Sequence, residues 1–506
     1  MMETLHGLYY GFSLAVMPQY LFFAFIGCII GTFIGVLPGL GPATTIAVLL
    51  PITYQTGSPL ASIIMLSAIF YGAMYGGSTT SILLRVPGEA ASVVTMIDGY
   101  EMAKQGRAGP ALAIAAIGSF FAGTVAIVGL TFVGPTFAAW ALRFGPPEYF
   151  ALATFGLILA STLGGAHPLR SVAMALAGLL FGLIGTDVIT GMPRFTLGSL
   201  RLISGLDIVS VMMGLIGVGE ILYMLEQKGA VEFAAKKIGK LMPSREEWKA
   251  STGPMTRGTV IGFVIGLIPG GGAILAAMLS YMAEKRFAKN PETMGRGNIA
   301  GVAGPEAANN AAASSSFIPL LTLGLPSNGV SAVLLAALMI QNVQPGPLML
   351  TRYPDVFWGV IASMYVGNVM LLVLNLPLVG LWVQLLRVPF WILGPTVIAI
   401  AAMGSYSLSN DFFDVGVLAV SGLVGYVLRK AEFDPSPFVI AFLLSGMVDT
   451  SLRQSLLMND GNPLILVTRP ISGGLLAVAL LYLAALIYSL RGKMRLIAAE
   501  TSVPAE

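Results

Sequence analysis

The chain has 506 residues, 56% of them hydrophobic and only 10% charged, and its mean hydropathy is +0.85. Soluble domains carry about 25% charged residues, so a soluble globular fold is excluded, and a net charge of +3 is too small to mark a nucleic-acid surface. One cysteine, Cys28, and two histidines, His6 and His167, exclude an intrachain disulfide and leave no cluster with metal-ligand spacing.

Apolar runs of about 20 residues, enough to cross a bilayer, recur in chain order and do not alternate as barrel strands do. The expected fold is an all-α polytopic membrane protein. Residues 1–17 hold Glu3 and His6 but no Lys or Arg, and no removable signal peptide is expected. The first apolar block, 18–50, is broken from Pro38 to Pro42, and the loop 51–60 is uncharged. Block 61–94 carries the polar run Tyr75–Ser81, then Arg85-Val-Pro-Gly88; loop 95–109 holds Asp98, Glu101, Lys104 and Arg107. Apolar blocks follow near 110–140, 148–165, 168–190 and 205–225.

Residues 226–257 are the most polar stretch, with Lys228, Lys236, Lys237, Lys240, Arg245, Lys249 and Arg257. Within them AVEFAAKKIGKLM has helical apolar spacing and predicts an amphipathic interfacial helix. Block 258–283 carries a second break, and loop 284–297 has Lys285, Arg286, Lys289 and Arg296. Block 298–340 contains GPEAANNAAASSS, then Gly324-Leu-Pro-Ser-Asn328, placed as Val86-Pro-Gly88 is in the first half. Further blocks lie near 354–386, 390–407, 412–430, 436–450 and 470–490.

The two breaks are one pattern written twice. GTFIGVLPGLGP at Gly31–Pro42 returns as GFVIGLIPGGGA at Gly262–Ala273. Each is an apolar helix with Gly at every fourth position that ends in Pro and clustered Gly. Proline removes a backbone donor, and glycines let the chain bend. Inside a bilayer such a break survives only where protein buries it or where it lines a wet cavity. Paired breaks at matching places in two halves point to the substrate site of a secondary transporter.

The predicted division is a first transmembrane repeat over 1–225, a basic junction over 226–257, a second repeat over 258–490 and a cytoplasmic tail over 491–506. Loop 51–60 has no basic residue while its counterpart 284–297 has four. Cytoplasmic loops concentrate Lys and Arg, so the halves are expected to be inverted, with 258–283 a hairpin that enters and returns on the cytoplasmic side. Block 18–50 is then a hairpin entering from the other side.

The candidate substrate contacts are Gly39, Gly41, Thr44 and Thr45 at the first break and Gly270, Gly271 and Gly272 at the second. The hydroxyl runs Ser78, Thr79, Thr80, Ser81 and Ser314, Ser315, Ser316 join them. Backbone N–H groups near half-helix N-termini receive anions, and unwound carbonyls hold a cation. Asn309, Asn310, Ser327 and Asn328 are the candidate coupling-ion residues; Pro38, Pro42, Pro87, Pro269 and Pro326 are the structural breaks. Each signal also has a plain reading. Gly31 and Gly35 fit a small-residue helix contact, and the hydroxyl runs fit back-bonding to their own helices. Glu306 reads either as an intramembrane acid or as a first-turn acid of a helix opened by Gly304-Pro305. Arg85 fits an anion partner or a helix-end arginine reaching for the interface. No GxxxxGK[ST] run occurs, and no nucleophile elbow is followed by an acid and a His.

Four stretches, GVLPGLGPATTIAVLLPITY, YGAMYGGSTTSILLRVPGEAASV, DGYEMAKQGRAGPAL and GVAGPEAANNAAASSSFIPLLTLGLPSNGVSAVLLAAL, closely resemble the TctA family, the large membrane subunit of the tripartite tricarboxylate transporters. The resemblance implies a bacterial inner-membrane protein, not an enzyme, that takes up citrate or another carboxylate with Na⁺ or H⁺. It implies two partners: a small four-helix membrane subunit (TctB-like) and a periplasmic solute-binding protein (TctC-like). No cofactor is expected beyond Na⁺ as a coupling ion. An anion channel with re-entrant hairpins, and more remotely an intramembrane enzyme, are the rival readings.

Overall fold

The computed structural model describes residues 2–37, 41–160, 168–226, 239–268, 272–288, 290–385 and 390–484. Among them the chain is helical almost throughout, and the only strands are a two-residue pair, Gly185–Thr186 with Pro193–Arg194. Helices long and apolar enough to cross a membrane are Pro18–Val36, Pro59–Leu84, Ala108–Ala141, Ile208–Glu226, Pro354–Asn375 and Phe412–Lys430. This is an all-α polytopic membrane protein. Helix starts follow local chemistry. Proline stands in the first turn of Pro18–Val36, Pro42–Tyr54 and Pro59–Leu84, where its missing N–H costs nothing. Ser244 and Glu247 close a capping box that opens Arg245–Leu267.

The glycine spacing is a packing stripe. A Cβ placed on Gly27, Gly31 or Gly35 would lie 2.5, 2.5 or 2.4 Å from the carbonyl oxygens of Met65, Ile69 and Ala73. On Gly258, Gly262 or Gly266 it would lie 2.2, 2.2 or 2.5 Å from those of Gly304, Ala308 and Ala312. Each broken arm therefore lies flat along the α-helix after the next, Pro59–Leu84 for the first and Ala300–Ser315 for the second, with the two backbones touching every four residues. Without a hydrophobic drive between helices in lipid, such close approach is what holds them.

Packing between the halves comes in matched pairs. Pro59–Leu84 meets Pro354–Asn375, while Ala300–Ser315 meets Ala108–Ala141. Pro168–Gly182 meets Ser436–Leu457, while Phe412–Lys430 meets the Ile208–Glu226 helix. Ser78 touches Glu306 and Phe70 touches Phe317, so Pro59–Leu84 crosses the Ala300–Leu323 segment antiparallel at the centre of the molecule.

Charged loops gather on one face. Asp98 accepts backbone N–H groups of Gly295, Gly297 and Asn298 at 2.7–3.0 Å and the Tyr281 hydroxyl at 2.9 Å. Arg107 donates to Glu247 at 2.8 Å and to the Gly297 carbonyl at 3.0 Å. The Val93–Lys104 helix, which replaces the loop expected over 95–109, thus shares this face with residues 290–299 and the start of Arg245–Leu267. Both ends of the hairpin formed by Arg245–Leu267 and Gly272–Phe287 return to it, and Arg257 ties the arms through buried Glu284. The opposite face joins Gln55 to Ser407, Gln341 to Ser62, and Ser210 to Ser405.

Two boundaries differ from the sequence reading. Arg245–Leu267 is one helix, so the division at 257/258 falls inside it, because the capping box at Ser244 sets its start. Residues 239–243 are not helical; most of the expected amphipathic helix lies outside the described residues.

Replacing Gly31 by Val forces the first arm off Ile69. Overpacking of this kind costs about 1–3 kcal/mol, and detergent-purified protein is expected to show a lowered unfolding temperature by tryptophan fluorescence. Gly416→Ala, where a Cβ meets nothing within 4 Å, is expected to leave it unchanged.

Candidate functional site

The first broken arm ends inside the protein and the second at an exposed Ile268, and hydroxyl groups answer the carbonyls freed at both ends. Pro18–Val36 stops at an extended Leu37, and the Thr80 hydroxyl donates to the Val36 carbonyl at 2.6 Å. The second arm stops at an extended Ile268, and the Ser327 hydroxyl donates to the Gly266 carbonyl at 3.2 Å. Such partners are what an interrupted helix needs where water is absent. The tip residues Pro38, Gly39, Pro269, Gly270 and Gly271 lie outside the described residues. Gly41 caps Pro42–Tyr54, and its carbonyl accepts the Thr45 hydroxyl at 3.1 Å. Gly272 takes φ +62°, a conformation that favours glycine, beside Asn328.

The described end of each arm lies against a second break of the same half, Gly35 against Gly88 and Gly266 against Ser327. Pro59–Leu84 ends in a left-handed Arg85 (φ 56°), and Phe317–Leu323 ends in a left-handed Gly324 (φ 68°). Pro87 and Pro326 follow. Then Glu89 with Ser92, and Asn328 with Ser331, close reciprocal capping boxes that restart the chain toward Val93–Lys104 and Gly329–Ile340. Gly88 lies so close to the first arm that a Cβ there would sit 2.0 Å from the Gly35 carbonyl. Contacts place the first loop level with the middle of Ala300–Ser315: Glu89 meets Asn309, and Thr95 meets Glu306.

A buried polar cluster forms where this loop meets Ala300–Ser315. Glu306 is fully buried and accepts from the Ser78 hydroxyl at 2.6 Å and from the Thr95 hydroxyl. Its helix begins at Ala300, not at Gly304-Pro305, so Glu306 is not a first-turn acid at the membrane edge. Pro305 stands inside this helix, in its second turn, where it removes one backbone hydrogen bond. Glu89 accepts the Ala91 N–H at 2.8 Å and the Asn309 amide at 3.1 Å. Asn310 donates to Ser119 at 2.7 Å and to the Glu306 carbonyl at 3.1 Å.

The sequence-selected residues divide by what they touch. Ser78, Asn309 and Asn310 belong to the cluster; Thr80 and Ser327 seal the breaks; Asn328 is a cap. Ser81 pairs with Ser92 at 2.8 Å. Ser315 and Ser316 bond back to Ala312 and Ala313, the ordinary habit of helical serines. Counted from the arm contacts at 65, 69, 73 and 304, 308, 312, Ser314–Ser316 stand level with Tyr75–Gly77, so the two hydroxyl runs do not occupy matching positions. Thr79 and Ser314 are buried and make no hydrogen bond among the described residues. Arg85 is exposed and lies over the Tyr100 ring at 5.6 Å, a helix-end arginine rather than a lining group.

Glu89, Thr95 and Ser119 were not singled out from the sequence. Glu89 carried a readable signal, an acid directly behind Pro-Gly in an apolar block. Thr95 and Ser119 carried none, since their partner is more than 190 positions away. Nor was Met213–Val218, a π-helical turn whose Ile216 carbonyl accepts the Thr44 hydroxyl at 3.4 Å. Such turns frequently occur at functional sites.

Residues 21–440 match the model of the tripartite tricarboxylate transporter TctA family. The chain belongs to this family. A 52.8 kDa protein from the TAR-I ttuC' 3' region of Agrobacterium vitis is 47% identical over 494 residues, 97% of this chain and 98% of that one. A protein from the TAR-II ttuC' 3' region of the same organism is 46% identical over 233 residues, 46% of this chain and 96% of that one. No solved structure matches. This chain is thus a tripartite tricarboxylate transporter subunit, and both breaks fall inside the matched span.

Replacing Thr80 by Val leaves the Val36 carbonyl buried without a donor, at a cost of about 1–3 kcal/mol. Hydrogen exchange is expected to rise in residues 33–45 of the variant, while Thr136→Val, on an exposed helix face, leaves that region as it is.

Proposed function

We propose that this chain carries out secondary-active uptake of a tricarboxylate or other carboxylate, driven by a Na⁺ or H⁺ gradient, as the large subunit of a binding-protein-dependent transporter. On this reading the halves are an inverted duplication. The basic face is cytoplasmic, the membrane is the bacterial inner membrane, and the partners are the small four-helix subunit and the periplasmic binding protein. The observation that carries it is the meeting, deep in the apolar body, of each broken arm with a broken loop of its own half. Such a structure keeps backbone polar groups at membrane depth without exposing them to lipid, and it is the form in which transporters hold anions and ions near the midplane.

Substrate carboxylates are received by N–H groups at Gly39–Gly41 and Gly270–Gly272, at the starts of Pro42–Tyr54 and Gly272–Phe287. Thr44, Thr45, Thr79 and Ser314 supply hydroxyls beside them; Thr79 and Ser314 are buried and have no hydrogen-bond partner among the described residues. Ser78 and Thr80 act indirectly, by holding Glu306 and the Val36 carbonyl. Access alternates when a hairpin-bearing unit moves against the rest.

The test is uptake by the reconstituted three-part system with mono-, di- and tricarboxylates, with and without Na⁺. Accumulation against the substrate gradient that collapses with the ion gradient is expected; flux that only equilibrates would establish a channel. Gly88→Leu is expected to abolish uptake while the protein still inserts, because the side chain drives the loop from the Gly35 carbonyl. Unchanged uptake by that variant counts against the site.

A further inference from the structure

The cluster at the first loop has an unbalanced charge. Glu89 and Glu306 are 7% and 0% exposed and lie within electrostatic reach of each other. Every partner they have is neutral: the Ala91 and Ser92 N–H groups and the Asn309 amide for Glu89, and the Ser78 and Thr95 hydroxyls for Glu306. No ion pair to either exists among the described residues. On the packed elements Glu101 pairs with Lys104, and the Tyr71 hydroxyl, two turns from Ser78 on its helix, is buried without a partner. Asp98 is held by Tyr281 and backbone N–H groups, Glu284 by Arg257, and Tyr75 by Asn368, while Arg85 turns to Tyr100. Two carboxylates cannot both stay ionised in a low-dielectric site without a compensating positive charge.

A second observation points to the same place. The Asn309 side-chain oxygen is buried and has no partner, although the nitrogen of the same amide reaches Glu89. Buried amide oxygens are nearly always satisfied. Asn309 also stands three residues from Glu306, on one face of its helix. An unanswered neutral oxygen on an amide that holds one carboxylate, three residues along its helix from a second, supplies with them a ligand set for a small monovalent cation.

We propose that Glu89, Glu306 and Asn309 form the coupling-cation site of this protein, taking one monovalent cation, a proton or Na⁺, between the first broken loop and Ala300–Ser315. The assignment rests on the transport reading for its role but not for its binding chemistry. The cation joins the loop that packs on Gly35 of the first arm to a helix of the other half. Its occupancy therefore biases the position of that arm, which is how an ion gradient is turned into substrate movement. Asn309 keeps the ion-binding role expected from sequence; Asn310, Ser327 and Asn328 are spent on Ser119, the Gly266 carbonyl and a cap.

The decisive experiment uses the complete reconstituted transporter. Glu89→Gln and Glu306→Gln are expected to lose gradient-driven accumulation and to keep exchange of labelled for unlabelled substrate at equal cation concentration on both sides. Asn309→Ala raises the half-saturating cation concentration about tenfold. A pH gradient without Na⁺ and a Na⁺ gradient at equal pH are separate arms, and the arm to which the wild type responds names the cation. Gln variants that retain wild-type cation dependence, or that lose exchange in step with accumulation, overturn the assignment. If they fail to insert, Glu306→Asp and Asn309→Ala decide, and an unshifted half-saturating concentration overturns it. The purified chain is also melted in NaCl against choline chloride and across pH. Cation stabilisation abolished in the variants, in a wild type that accumulates nothing, removes the transport reading and keeps the site. No cation stabilisation in that same wild type removes both.

Discussion

Within a bilayer no water stands ready to satisfy a broken backbone, and this chain breaks at four places inside its body. The structure answers with local donors. Thr80 and Ser327 take the carbonyls at the ends of the two arms, and Glu89 and Asn328 cap the helices that restart beyond the loops. The arms can end at depth only because these side chains are there, and the loops can lie beside the arm tips only because the breaks are sealed. A left-handed residue, a proline and a capping box recur in the same order at both loops. The sealed break is one device used twice.

Close packing gives that device its position. Glycine at every fourth place lets each arm touch the carbonyls of its neighbour helix, so the arm lies at a fixed depth against fixed residues. The neighbour helices then cross each other antiparallel, which sets Ser78 of one half against Glu306 of the other. Ser78, Glu89, Thr95, Glu306 and Asn309 are brought within one polar region by helix packing. Movement of an arm in this arrangement must carry its loop with it, since Gly88 and Gly35 leave no slack.

Charge is distributed in two ways that serve different ends. On the basic face Asp98, Arg107 and Glu247 are paired with partners from the other half, and they tie the Val93–Lys104 helix and residues 290–299 to the start of the second hairpin. At depth Glu89 and Glu306 have only neutral partners. The first set is complete in itself and anchors the frame; the second is incomplete, and a mobile cation completes it. A frame pinned at one face and a charge left open at depth suit a protein that must move one unit while keeping another still.

The sequence by itself determined the class of the molecule, because 56% hydrophobic residues in spanning runs admit no other solvent than lipid. It also determined where the helices break, since Pro and clustered Gly act locally, and it showed the four-residue glycine stripe, whose period is that of the helix. The family was legible in long continuous motifs for the same reason. What only the tertiary structure decided is which polar residues meet. Glu306 read equally well as an edge acid, because its burial depends on a helix that starts at Ala300 and on a partner at Ser78, 228 positions away. Ser315 and Ser316 looked like site residues and turned to their own helix, while Glu89 and Thr95 entered the cluster from a different half. Spacing along one helix is written in the chain; contact between two crossing helices depends on their depth and rotation, and those are set by packing across the whole bundle.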